Sequence, residues 1–161
     1  MPPRYVTEAD DPPKAVSEPE MFGVEMLSAV LDIETSMPPV QHGDLLNEFQ
    51  YKDAEIISSK MFWPNQFTQD DLVPLSEEDM DKCAFFKKSL TLTSAYGGDY
   101  EQTFNAPNKK WFSVRDFFVA VAEMEGNARK HSDWFGGIDT HHVYFEGTTK
   151  KGKKLVINWG S

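Results

Sequence analysis

Apolar residues recur at helical spacing most clearly between residues 114 and 128. The stripe consists of Val114, Phe117, Phe118, Val121, Ala122 and Met124. Ser113 precedes this stripe and stands three residues before Asp116, which is the spacing of a capping box at a helix N-terminus. The pattern fades at Gly126, a residue that frays or ends helices. It therefore predicts an amphipathic helix over 114–128.

Two further segments carry helix signals. From Ser17 the chain reads Ser-Glu-Pro-Glu, a capping box with proline near the first turn, and apolar residues follow at intervals of three or four. The proline pair that begins at Pro38 ends this pattern, so we predict a first helix over 17–37. Ser76 is followed by three acidic residues, which predicts a short helix to about Phe86.

Alternation of apolar and polar residues predicts strands elsewhere. Residues 90–93 alternate, and a glycine turn at 97–99 leads to a return strand over 100–104. Residues 48–58 also favour a strand, whereas 63–75 are typical of a connection. The chain closes with strands over 138–146 and 155–159, which the loop 147–152 joins into a hairpin.

Together these elements predict the α+β class. We expect two or three helices packed on a mainly antiparallel sheet, with a C-terminal β-hairpin. Two proline pairs and several acids make residues 1–16 an extended arm, and 17–161 form a single α+β domain. With 161 residues, of which 40% are hydrophobic and 13% aromatic, the chain is large enough to bury a core.

Charge and composition narrow the function classes. A net charge of −10 argues against nucleic-acid binding, because a phosphate backbone repels an acidic surface. No apolar run approaches the ~20 residues of a membrane helix, so no membrane partner is expected. Cys83 is the only cysteine, which is typical of a reducing compartment, and we expect a cytoplasmic protein.

The segment 134–147 holds two of the four histidines together with carboxylates. If 138–146 is a strand, alternate side chains share a face. Asp139 and His141 then form one pair at the margin of the core, where a carboxylate could orient the ring for general acid–base catalysis. The opposite face would present a polar row of second candidates. These are His142, Tyr144 and Glu146.

Cofactor and metal signals are weak. His131, Asp133, Asp139 and His141 offer ligand types that suit zinc or iron, but their spacing matches no metal motif, so we expect no metal. The sequence has no phosphate-binding Gly-x-x-x-x-Gly-Lys, no dinucleotide Gly-x-Gly-x-x-Gly and no Gly-x-Ser-x-Gly elbow. We therefore expect no cofactor.

Two main function hypotheses remain, beside a minor one: a carrier of apolar ligands, which the many Phe and Met residues would suit. The first is a non-enzymatic module for protein binding or assembly, acting on a protein partner or by self-association. The acidic arm and the lack of a catalytic motif favour it, as does the uneven charge: residues 1–81 hold 18 acidic and 4 basic residues, and residues 82–161 hold 8 and 12. The second is a small acid–base or hydrolytic enzyme that uses the His/carboxylate pair on the 138–146 strand.

Overall fold

A computed structural model describes residues 18–36, 54–95, 99–131 and 138–161. The strands in these ranges are β1 (Leu27–Thr35), β2 (Ile56–Phe67), β3 (Leu72–Pro74), β4 (Cys83–Phe85), β5 (Ser89–Ser94), β6 (Glu101–Asn105), β7 (Phe112–Ser113), β8 (Tyr144–Lys151) and β9 (Lys154–Gly160). The α-helices there are α1 (Glu77–Met80) and α2 (Val114–Ala128), and two 3-10 turns cover Val24–Met26 and Arg129–His131. The α+β class is confirmed, with more sheet and less helix than we predicted.

The main sheet has seven strands in the order β3-β2-β1-β8-β9-β5-β6. Neighbouring strands are antiparallel except β5 and β9, which run parallel, so the mainly antiparallel prediction is confirmed. β4 and β7 form a separate two-stranded sheet. β9 comes last along the chain but lies inside the sheet, between β8 and β5.

Helix α2 begins and ends where the sequence predicts. The Ser113 hydroxyl accepts from the Asp116 backbone N–H at 3.0 Å, and the Asp116 carboxylate accepts from the Ser113 N–H at 3.1 Å, which completes the capping box. Phe117, Phe118 and Val121 are buried on the inner side of the helix. This local signal sufficed because capping and the apolar stripe agree.

The seven-stranded sheet curls around α2. The Ala122 carbonyl accepts from the Ser59 hydroxyl of β2 at 2.8 Å, while the next helix residue, Glu123, accepts from the Gln102 amide of β6 at 2.7 Å. β2 and β6 lie five strand steps apart, which is about 24 Å in a flat sheet. A helix is only about 10–12 Å across. Both strands therefore reach α2 only because the sheet bends, and its concave inner face holds the core.

The predicted first helix over 17–37 is wrong. β1 occupies residues 27–35 of that range, and only Val24–Met26 forms a 3-10 turn. Leu27, Ala29 and Leu31 alternate into the core, where they are at most 4% exposed. Pairing with β2 along almost its whole length on one side, and with β8 at Val30 on the other, fixes β1 as a strand.

The second predicted helix is shorter than expected. Ser76 caps α1 as predicted, but the helix ends at Met80 and β4 follows. A hydrogen bond between Asp79 and Lys82, 2.8 Å apart, lowers the pKa of the Asp79 carboxyl and raises the pKa of the Lys82 ammonium. The predicted connection over 63–75 is also wrong, because β2 extends to Phe67 and β3 pairs with its end.

The two predicted hairpins are present. β5 and β6 pair antiparallel over 89–94 and 101–105, and β8 and β9 form the C-terminal hairpin. The loop predicted over 147–152 is wrong in its bounds, because residues 148–151 pair with β9 as part of β8 and the turn lies at 152–153. The arm 1–16, residues 48–53 of one predicted strand and part of the 97–99 turn lie outside the described residues. In the described ranges, no helix has the length and hydropathy needed to cross a bilayer.

Candidate functional site

The segment that carries the predicted histidines is not a strand until Tyr144. Residues 138–143 form an irregular turn, because the Asp139 carboxylate accepts backbone N–H groups from His141 at 2.8 Å and His142 at 3.3 Å. An aspartate that bonds the backbone two residues ahead turns the chain. The predicted alternation over 138–143 is therefore wrong, and the pair of side chains Asp139 and His141 does not form through it.

The structure instead pairs Asp139 with His142. Nδ1 of the His142 ring lies 3.0 Å from Oδ2 of Asp139. The Asp139 side chain is fully buried, and that of His142 is 13% exposed. The ring of His141 stands edge-on to the His142 ring, with centroids 5.1 Å apart, and His141 is exposed. A carboxylate at Nδ1 orients an imidazole and leaves Nε2 as its second functional nitrogen.

Tyr144 and Glu146 lie on β8, on the outer face of the sheet. Both are exposed, whereas Phe145 between them is buried on the inner face, so the alternation predicted for this part of the segment holds. The Glu146 carboxylate covers Gly160 on β9, where an added Cβ would lie 2.1 Å from Oε2. These two second candidates thus belong to an open surface, while Asp139 belongs to the core.

Sequence reasoning missed the residue at the centre of this region, Arg129. It is fully buried directly after α2, and its Nε bonds Oε1 of Glu125 at 2.6 Å. Its two terminal nitrogens donate to the carbonyls of Asp139 at 3.0 Å and His142 at 2.7 Å. The guanidinium also lies 5.2 Å from the ring centre of Trp159. One cation thereby ties the end of α2 to the 138–143 turn and to β9.

Two polar atoms beside Arg129 are buried without a hydrogen-bond partner among the described residues. They are Oε2 of Glu125 and Nε1 of Trp159. Oε1 of Glu125 is satisfied by Arg129 and by the Ser94 hydroxyl at 2.9 Å. The signal in the sequence was the spacing of Glu125 and Arg129, four residues apart, but such helix pairs are usually exposed.

A groove runs along β2 and α2, and none of the predicted histidines is among its lining residues. Its volume is about 560 Å³. Its walls are six consecutive strand residues, Ile56–Met61, and helix residues that include Val119, Glu123 and Lys130. Because side chains of a strand alternate between faces, a groove that touches six in a row must follow the edge of β2. We call this feature the β2–α2 groove.

Close contact between strand and helix sets the floor of this groove. Besides the Ser59–Ala122 hydrogen bond, the backbones approach so closely at Gly126 that an added Cβ would lie 2.9 Å from the Ser59 Cβ. The helix side is held by Gln102, which bonds Glu123 and also accepts from Asn127 at 3.0 Å. The β2–α2 groove is thus a built feature of the curled sheet.

Comparison with known proteins adds no family to this picture. The chain matches no protein-family profile, no curated protein and no solved structure. Geometry must therefore carry the functional argument.

Two places in the described structure offer chemistry. The Asp139–His142 pair could move a proton, but the same carboxylate also holds the turn that Arg129 anchors. The described residues hold no group of three or more His, Cys, Asp or Glu side chains suited to a metal ion. The β2–α2 groove offers apolar surface and a strand edge, which are the features of a peptide site.

Proposed function

We propose that the protein is a non-enzymatic protein-binding module that adds an extended peptide to the outer edge of β2, within the β2–α2 groove. Strand addition suits this surface because the partner gains backbone hydrogen bonds from the edge and side-chain contacts from the groove. The run of six consecutive β2 residues along the groove carries the proposal.

The edge of β2 supports strand addition. β2 spans twelve residues, yet β3 pairs only with its last three, residues 65–67. Along 56–63 no described strand pairs with the outer side of β2. An edge of this length presents backbone donors and acceptors that can template another strand.

The groove side chains support an apolar peptide. Ile57 is 62% exposed and Val119 is 55% exposed, although both are aliphatic. In an added strand, every second side chain would point towards α2 and cover these two residues. We therefore propose a partner segment with apolar residues at alternate positions. A second copy of this chain, pairing β2 with β2, is the self-association form of the same mode.

A peptide display library tests this function. We expect binding peptides of about eight to ten residues with apolar residues at alternate positions. Binding should slow amide hydrogen exchange along 56–63, because those N–H groups would join a ladder. Ile57→Lys and Val119→Lys should each weaken binding about tenfold or more, by placing a charge against apolar side chains.

Phe62→Lys is the matched control. Phe62 is also 62% exposed and lies on β2, but it pairs with Val30 on the outer face and lies outside the groove. Its substitution should leave peptide affinity within about twofold, given the usual independence of separate sites. A library without binders, or binders that respond to Phe62→Lys and not to Ile57→Lys, would count against the proposal. If the wild-type chain forms dimers and Ile57→Lys does not, the segment that binds the β2 edge is a second copy of this chain.

A small acid–base or hydrolytic enzyme is the second candidate, and the 3.0 Å contact between Asp139 and His142 favours it. Hydrolysis of an activated ester such as p-nitrophenyl acetate provides the assay. If this candidate holds, His142→Ala abolishes turnover while the variant of its exposed neighbour, His141→Ala, retains it. Equal rates in both variants and the wild type would remove the enzyme hypothesis.

A further inference from the structure

Three turns of the described chain meet at one end of the main sheet. β5 and β9 run parallel, so both begin at this end, and β6 is antiparallel to β5, so it finishes there. The β8–β9 hairpin turn, the residues before β5 and the residues after β6 therefore lie side by side. We call this place the basic end because eight lysines lie there.

Strand register puts these turns at one level. Leu92 lies opposite Leu155 in the parallel pair, so counting back three residues sets Ser89 level with Gly152 at the hairpin tip. Ser89 lies opposite Asn105, and the next residue, Ala106, donates its N–H to the Lys88 carbonyl at 2.8 Å. The sequence alone could not show this, since the three turns are up to 66 residues apart.

Eight of the 16 Lys and Arg residues of the chain lie in these turns or at the strand ends beside them. They are Lys87, Lys88, Lys109, Lys110, Lys150, Lys151, Lys153 and Lys154. Lys154 pairs with Glu101 at 2.9 Å. The other seven are exposed and form no ion pair with any described residue.

The spacing of the turns makes their charges act together. The four strands β8, β9, β5 and β6 span about 15 Å across, at about 4.8 Å per step. The Debye length in physiological salt is about 8 Å, so the potentials of neighbouring turns overlap. In a protein of net charge −10, this end is strongly positive and the remainder carries eight basic residues against 26 acidic ones.

We infer that the basic end binds a carboxylate-rich segment of a partner protein. Positive patches of this kind steer and hold acidic partners. A peptide of about five residues, at about 3.3 Å each, would cover the 15 Å width. A nucleic acid would extend past the patch and meet the rest of a chain in which eight basic residues stand against 26 acidic ones, which disfavours phosphates. This inference is independent of the peptide proposed above, because none of the eight lysines lines the β2–α2 groove.

Fluorescence anisotropy with a labelled ten-residue peptide of alternating Glu and Ser tests the inference on the full chain. We expect Lys150→Gln/Lys153→Gln to weaken binding about fivefold or more in about 50 mM NaCl. Lys87→Gln/Lys109→Gln, on two other turns, should weaken it similarly. Raising the salt to about 200 mM should lower the affinity of the wild type towards that of the variants.

The control variant Phe62→Glu/Leu72→Glu changes the net charge by the same amount at two exposed residues outside both the basic end and the β2–α2 groove. It should change the affinity by less than about twofold. Equal weakening by the control would mean that only net charge matters and would overturn the inference. So would undetectable peptide binding, or a single-stranded oligonucleotide of matched charge that binds more tightly than the peptide. Failure of the groove substitutions would leave these outcomes unaffected.

Discussion

Replacing Arg129 by methionine should be among the most damaging single changes to this protein. Methionine fills a similar volume but removes the ion pair to Glu125 and the two bonds to the Asp139 and His142 carbonyls. It also leaves the buried Glu125 carboxylate with Ser94 as its only described donor. Breaking one side of a buried pair costs about 3–5 kcal/mol, which for this chain length lowers the Tm by about 10 °C.

Urea unfolding followed by far-UV circular dichroism measures this loss of stability. Two further variants test its cause. Lys130→Met changes the adjacent but exposed lysine and should alter the free energy of unfolding by less than about 0.5 kcal/mol. Glu125→Gln/Arg129→Met removes both charges. It should be more stable than Arg129→Met alone, because no unpaired charge remains buried.

Two results would refute this reasoning. A loss below about 1 kcal/mol for Arg129→Met would mean that the cation adds little beyond its volume. A double variant less stable than Arg129→Met would mean that the Glu125 carboxylate is well satisfied without Arg129.

Two other predictions concern packing and charge. Gly126→Ala places a carbon 2.9 Å from the Ser59 Cβ and should lower the free energy of unfolding by about 1–2 kcal/mol, although alanine is the better helix former. Gly23→Ala is the control, because no atom lies within 4 Å of its added carbon. Equal effects of the two substitutions in urea unfolding would contradict this prediction. Lys82→Met should raise the lowered pKa of Asp79 towards its ordinary 3.8, as carboxyl carbon NMR can record. Because the pKa of Asp79 is lowered in the folded protein, its pairing with Lys82 stabilises the fold at pH values above the ordinary pKa. This stabilisation is lost as the pH falls through the pKa of the folded state. An unchanged Asp79 titration in Lys82→Met would contradict the assigned cause.

The correct sequence predictions were those that depend on nearby residues. Helix α2 follows from its capping box and stripe, and the end hairpin follows from alternation beside a glycine-containing turn. β1 was mistaken for a helix because its run of apolar residues satisfies both periods, and only pairing with β2 and β8 decides between them. Such pairings join residues far apart in the chain, which periodicity does not show.

The strand predicted over 138–143 is wrong for a different reason. The strand predicted from residue 138 begins at Tyr144, six residues later. Alternation of side chains requires an extended backbone, and the Asp139 side chain bends the backbone here. Aspartate favours turns because its side chain bonds the backbone two residues ahead, so this part could have been predicted. The burial of Arg129 could not, since its partners include two main-chain carbonyls and the face of Trp159.

The interior position of β9 has a consequence for synthesis. While the ribosome has released the chain only as far as Lys151, strands β3-β2-β1-β8 can associate on one side and β5-β6 on the other, yet no described strand joins the edges of the two groups. Release of residues 154–160 allows β9 to pair with β8 on one side and with β5 on the other. Nascent chains stalled before that point should expose the unpaired edges of β8 and β5 and depend on chaperones. Chains stalled after β9 has left the ribosome should resist proteolysis.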